Sequence, residues 1–345
     1  MTIMKPRLNG NRTLKLNRRL YTQFDQFFVH NQRLLIKIFT GNKNLYNIIC
    51  SAKDWIQTAI DGIDTEKLIF DNSNEASISL ITFISCIGIL WEGIQQLKRV
   101  FICEKSIPFR GDHAVFHQQD IDDNRYFMII RAVFAAHQVN LDDMYHYGKG
   151  KKRKWFASWS YGGAAAEGDF SAQLYCNDPN ERSRCFDISV KEVYQFALKR
   201  YEHLNELINA AKGCIDEYKT QLRKEKIKTD INEPIIWIDT LLDENTKRLD
   251  SDYIKNALQE ARDAFIVEAR GDLNQQAMDQ YRTALISQLK QIQCILQNMD
   301  SDAEFTEIEG EYPPELNYPL EKLLSEDDPM FYWGMDKVQQ YLDGV

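Results

Sequence analysis

Most of the chain is patterned in helical periods. From Leu16 to Phe39 and from Asn44 to Ile60, apolar residues recur three and four positions apart, the spacing of one buried helix face. Asp71 and Ser73 offer capping side chains for a third helix over about 75–100. Its first half, Ala76 to Trp91, carries no charge and predicts a helix enclosed on all sides; the second half turns amphipathic at Glu92, Gln95, Lys98 and Arg99. The uncharged run is short for a hydrocarbon layer of ~30 Å, so the expectation is a central core helix and no membrane. Residues 106–121 include Pro108 and Gly111 and read as a connection, after which a helix is expected from Asp122 or Asp123 to His137.

The period then changes. Residues 170–176 and 183–189 alternate apolar and polar positions around Asn177-Asp178-Pro179-Asn180, which predicts a β-hairpin at about 170–190 inserted between helices. Ser189 caps a further helix running towards Leu222, and the charged stretch 223–232 marks a boundary. Two more helical patterns, 251–270 and 272–299, predict a C-terminal helical hairpin. The fold class is therefore mostly α: a basic arm (1–15), a helical bundle carrying the β-hairpin (16–225), a helical hairpin (230–299) and an acidic docking tail (300–345). Only 16 glycines and 8 prolines in 345 residues agree with long uninterrupted helices.

Charge is unevenly spread. The formal net charge is −9, but residues 300–345 hold 13 acidic side chains against Lys322 and Lys337, a net of −11, which leaves +2 for everything before them. An acidic total therefore does not exclude a nucleic-acid partner. The tail also carries Phe331, Tyr332 and Trp333. It has two readings: a nucleic-acid mimic docked over a basic loop, or a segment packed on the helical hairpin. Seven cysteines lie without any C-x-x-C pair, which suggests reduced thiols and a cytoplasmic protein. Across the hairpin Cys176 and Cys185 could face each other, and two buried apolar side chains are the reading preferred over a disulfide or a metal site.

The candidate chemistry lies at Arg131-Ala-Val-Phe-Ala-Ala-His137. At ~100° per residue, Phe134 lies about 60° round from Arg131 and His137 about 60° further, so a permanent cation and a titratable imidazole flank one stripe. A basic run follows, with Lys149, Lys151, Lys152, Arg153 and Lys154 ahead of Trp155 and Phe156. Cations suit a phosphate backbone and an aromatic ring suits an unstacked base.

On this R-x5-H motif the chain resembles the HEPN family, including uncharacterised members from bacterial defence and toxin loci. The resemblance spans roughly residues 40–215. It implies a helical homodimer whose motifs meet across the interface, and metal-independent RNA cleavage without a cofactor. Arg131 would hold the scissile phosphate and His137 would move protons. It also implies a role as a toxin or phage-defence effector, with RNA as substrate and an antitoxin or regulatory protein as a further partner. Ala132 departs from the polar residue that many catalytic members carry after the arginine. The alternative is a catalytically silent HEPN-like module that binds RNA or protein, in which Arg131 pairs with Asp122, Asp123 or a distant carboxylate.

A second constellation competes. His113 and His117, four residues apart with Asp112, Asp120, Asp122 and Asp123 close by, would hold a divalent metal if that segment were helical. No phosphate-binding G-x-x-x-x-G-K-[ST] loop and no G-x-G-x-x-G fingerprint occurs.

Overall fold

A computed structural model describes residues 13–41, 43–71, 73–102, 107–118, 120–142, 153–160, 168–268, 272–306, 314–323 and 327–342. The chain divides into two compact units, 1–221 and 222–345.

In the first unit the predicted N-terminal helix is two, α1 (Arg18–His30) and α2 (Gln32–Phe39), with the break at Asn31. Asn31 is both the end of one and the start of the next, and its amide donates to Phe27 O at 2.8 Å. Residues 13–15 are not a free arm: Leu14 N donates to Thr65 Oγ1 at 2.9 Å and Lys15 pairs with the buried Asp64 at 3.1 Å. Residues 1–12 of the expected arm lie outside the described residues.

Helix α3 (Tyr46–Gly62) packs along α4 (Asn74–Phe101), the expected core helix. Ser73 caps α4 by accepting from Ala76 N, and Asp71 in turn accepts from Ser73 N at 2.9 Å. Leu80, Phe83, Ile84, Ile87, Leu90 and Ile94 of α4 are all buried. Among the described residues, α4 is the one helix long and apolar enough to cross a bilayer, and half of its most apolar stretch is enclosed within the protein. At Gly93 the two helices approach so closely that a Cβ would lie 2.7 Å from Ile56 Cγ1.

The connection before α5 (Asp123–Arg131) is tied down by three consecutive side chains. Asp122 caps the helix through Arg125 N and also accepts from Gly111 N, each at 2.9 Å. Asp123, buried, accepts from Val115 N and Phe116 N at 2.9 and 3.0 Å. Asn124 donates to Pro108 O at 2.9 Å. The helix expected to continue to His137 stops being α-helical at Arg131. Residues 132–136 form a π turn, closed by His137 N donating to Ala132 O at 3.0 Å, five residues back.

The β-hairpin forms as expected, from β3 (Phe170–Cys176) and β4 (Arg184–Ile188), and it belongs to a four-stranded antiparallel sheet with β1 (Leu141–Asp142) and β2 (Lys154–Ser160), in the order β1-β2-β3-β4. Leu174 lies opposite Arg184 and Gln173 opposite Cys185, so Cys176 and Cys185 do not face each other; Cys185 is exposed and Cys176 half-buried, both as free thiols. The expected helix from Ser189 is also two, α6 (Val190–Glu202) and α7 (Leu204–Lys224), broken at His203. Tyr201 of α6 ties down the start of α1 by donating to Asn17 O at 2.6 Å and accepting from Tyr21 N at 2.9 Å.

In the second unit the expected helical pair is α9 (Asp252–Ile266) and α10 (Asp272–Asn298); ahead of it stands a third helix, α8 (Pro234–Arg248), that packs on both. Pro234 at the first helical position, where its missing N–H costs no hydrogen bond, starts α8. Arg248, fully buried, holds the ends of neighbouring elements by donating to Leu222 O at 2.9 Å and Glu225 O at 2.7 Å and pairing with Glu244. The start of the acidic tail packs on this unit: Phe305 stacks on Tyr253 at 4.5 Å and Thr306 N donates to Gln291 at 2.9 Å. Further on come α11 (Pro314–Glu321) and α12 (Phe331–Leu342), where Trp333 meets Tyr318 edge-on and Tyr332 is 81% exposed.

Candidate nucleic-acid interface

The π turn decides how Arg131 and His137 are presented. A π turn inserts one residue into the helical ladder, and such bulges recur at functional sites. Here Val133 and Phe134 point inward and are buried, while Arg131 and His137 on either side are exposed. Phe134 anchors the turn on the sheet through edge and tilted contacts with Trp159 at 6.3 Å and Phe186 at 6.1 Å.

Arg131 reaches back across α4. Its stem lies over Gly88, where a Cβ would come within 3.4 Å of Nε, and Nη1 bonds Glu92 Oε1 at 2.9 Å. Gly88 and Glu92 are one turn apart, so the arginine follows the α4 surface from one to the other. Both partners are about half exposed, 45% and 59% of their side chains. An ion pair so wetted is worth roughly 0–1 kcal/mol, and an incoming phosphate can replace the carboxylate at little cost. The partner is thus the distant carboxylate of the alternative reading; Asp122 and Asp123 are engaged in capping and in holding the loop.

The basic run is divided. Lys149, Lys151 and Lys152 lie outside the described residues. Lys154, Trp155 and Phe156 do not belong to a loop but to β2. Trp155 is only 1% exposed, with Arg184 stacked 5.3 Å from its ring, so it is a core side chain and has no face to offer a base. Arg153 pairs with Glu181 at 2.8 Å and Asp178 at 3.5 Å, stapling β2 to the β3–β4 turn. The alternation in Trp155-Phe-Ala-Ser-Trp159, with an apolar residue at every second position, is the local signal of the strand that turns Trp155 inward.

The metal-site alternative is corrected too. Residues around His113 and His117 form turns, with His117 in the left-handed region at φ 53°, so the two imidazoles do not stack along a helix face. His113 Nδ1 contacts Gln118 O at 2.7 Å, and Asp112 is bound to Lys199. Among the described residues no group of three candidate ligands converges.

Two features escaped the sequence. Glu92 stands 39 positions from Arg131, and no local pattern links them. Beside Glu92, α3 and α4 enclose an open pocket of about 520 Å³. Its wall is Trp55, Ile48, Ala52 and Ile89, with Asn47, Gln96 and Glu92 as polar groups. The class this fold and site define is a mostly α-helical protein with a small antiparallel sheet and an exposed Arg/His pair across a π turn. The chain matches no protein-family model, no curated protein and no solved structure.

Proposed function

We propose that the chain is a metal-independent, HEPN-like endoribonuclease acting as a cytoplasmic dimer, with a role as toxin or phage-defence effector. The observation that carries this reading is the π turn, which anchors its apolar residues inward and leaves a cation and an imidazole in solvent at its two ends. Metal independence, dimer and defence role follow the family resemblance. In the reaction, Arg131 leaves Glu92 and holds the scissile phosphate. His137 accepts the proton of the attacking 2′-hydroxyl, the new O–P bond forms, and the bond to the departing 5′-oxygen breaks as the imidazolium so formed returns its proton to that oxygen. The products are a 2′,3′-cyclic phosphate and a 5′-hydroxyl.

The second reading, a silent HEPN-like module binding RNA or protein, is favoured by Glu92 occupying Arg131 and by the burial of Trp155. Cleavage of RNA in EDTA separates the two. The expected outcome is cyclic-phosphate ends and a bell-shaped pH profile in the wild type, with loss in His137→Ala and Arg131→Ala at unchanged folding. Mixed dimers of the two variants report whether the site is shared. An RNA-binding protein with no cleavage under any of these conditions is the silent module.

A further inference from the structure

We propose that the pocket between α3 and α4 takes an unstacked guanine of the RNA whose phosphate Arg131 holds; the inference rests on that reading of Arg131. Three observations converge. The pocket, at about 520 Å³, lies in the range of small-ligand sites, ~300–1,000 Å³. Of the six tryptophans, Trp55 alone is predominantly exposed, at 55%, and it forms part of this wall with Ile48 and Ile89. An exposed indole face beside aliphatic side chains is a platform for a base, and every base has a face to stack.

The third observation sets the choice of base. Glu92 belongs at once to the pocket wall and to the ion pair with Arg131. When a phosphate takes the guanidinium, the released carboxylate, 59% exposed, is free to accept from the donors of a base in the pocket. Guanine presents two adjacent donors, N1–H and the N2 amino group, to the two carboxylate oxygens. Adenine and cytosine each set an acceptor beside their amino group, and uracil sets carbonyls on both sides of its one N–H, so each repels one oxygen. Asn47 and Gln96, also in the wall, supply amides for the remaining edge of the base. Phosphate on Arg131 and guanine on Glu92 thus exchange one weak surface pair for two charge-assisted contacts.

The test uses the full chain, titrated calorimetrically with guanosine and cytidine 5′-monophosphates, and a short single-stranded RNA carrying guanosine or inosine at one position. Guanosine monophosphate should bind at least tenfold tighter than cytidine monophosphate. Trp55→Ala should weaken it about tenfold or more, and Glu92→Gln should erase the preference for guanosine over inosine, which lacks the amino group. Equal binding of both mononucleotides, no binding of either, or indifference to Trp55→Ala overturns the proposal. If RNA is cut with dependence on Arg131 and His137 but Trp55→Ala changes nothing, the pocket inference fails and the ribonuclease reading stands. If guanosine monophosphate binds through Trp55 while no RNA is cut, the pocket stands and the ribonuclease reading falls.

Discussion

Gly93→Ala and Gly213→Ala make the same chemical change in two helices of the first unit, and the structure gives them opposite signs. Each replacement gains about 1 kcal/mol of helix propensity, because alanine loses less backbone freedom on folding. At Gly213, exposed on α7, an added Cβ meets nothing within 4 Å, so the full gain of about 1 kcal/mol is expected. At Gly93 the new Cβ falls 2.7 Å from Ile56 Cγ1 and 3.0 Å from its Cδ1. Carbon atoms prefer ~3.5–4.0 Å, so one helix must give way by about 1 Å. Ile56 is fully buried, and its β-branched side chain has one strongly preferred rotamer in a helix. Overpacking of this kind costs about 1–3 kcal/mol, which exceeds the propensity gain. The two variants should therefore differ by about 2 kcal/mol. Urea melts followed by far-ultraviolet circular dichroism would show a raised midpoint for Gly213→Ala and a lowered one for Gly93→Ala, with unchanged slopes. Equal stabilisation by both would refute the close α3–α4 contact, and with it the shape of the pocket that Gly93 helps to form.

His203 lies buried at the α6–α7 break, edge-on to Phe109 and 3.0 Å from Glu206, with Lys98 also near; burial holds its imidazole below the usual value in spite of Glu206. The folded state therefore keeps His203 neutral while the unfolded chain takes up a proton as pH falls through about 6.5, so stability drops on acidification by at most ~1.4 kcal/mol per pH unit. His203→Gln should flatten the stability–pH curve between about pH 7 and 5 relative to wild type; an unchanged slope would exclude a buried neutral imidazole. In the second unit, Arg248→Ala leaves Glu244 with only the longer 3.9 Å pair to Lys247 and the carbonyls of Leu222 and Glu225 without their buried guanidinium donor. A loss of about 3 kcal/mol is expected in denaturant melts, and a loss under 1 kcal/mol would show that water replaces the guanidinium.

Local pattern alone determined where three of the helices begin. Ser73, Asp122 and Ser189 were readable as caps, and each accepts a hydrogen bond from the backbone N–H three residues on. The turn at Asn177–Asn180 determined the hairpin for the same reason: its information lies within a few adjacent residues. Tertiary structure decided the rest. Neither Asn31 nor His203 is a glycine or a proline, so the breaks they make are invisible to periodicity. The π turn after Arg131 shares the apolar sequence of an α-helix, and its extra residue is set by the packing of Phe134 against the sheet. Trp155 reads as a loop aromatic until its pairing with Cys176 places it in β2, where it becomes core. Above all, the Glu92 partner of Arg131 and the pocket beside Trp55 are made by α3, α4 and α5 coming together. Proximity between residues tens of positions apart is a property of packing, and one sequence contains no local signal for it.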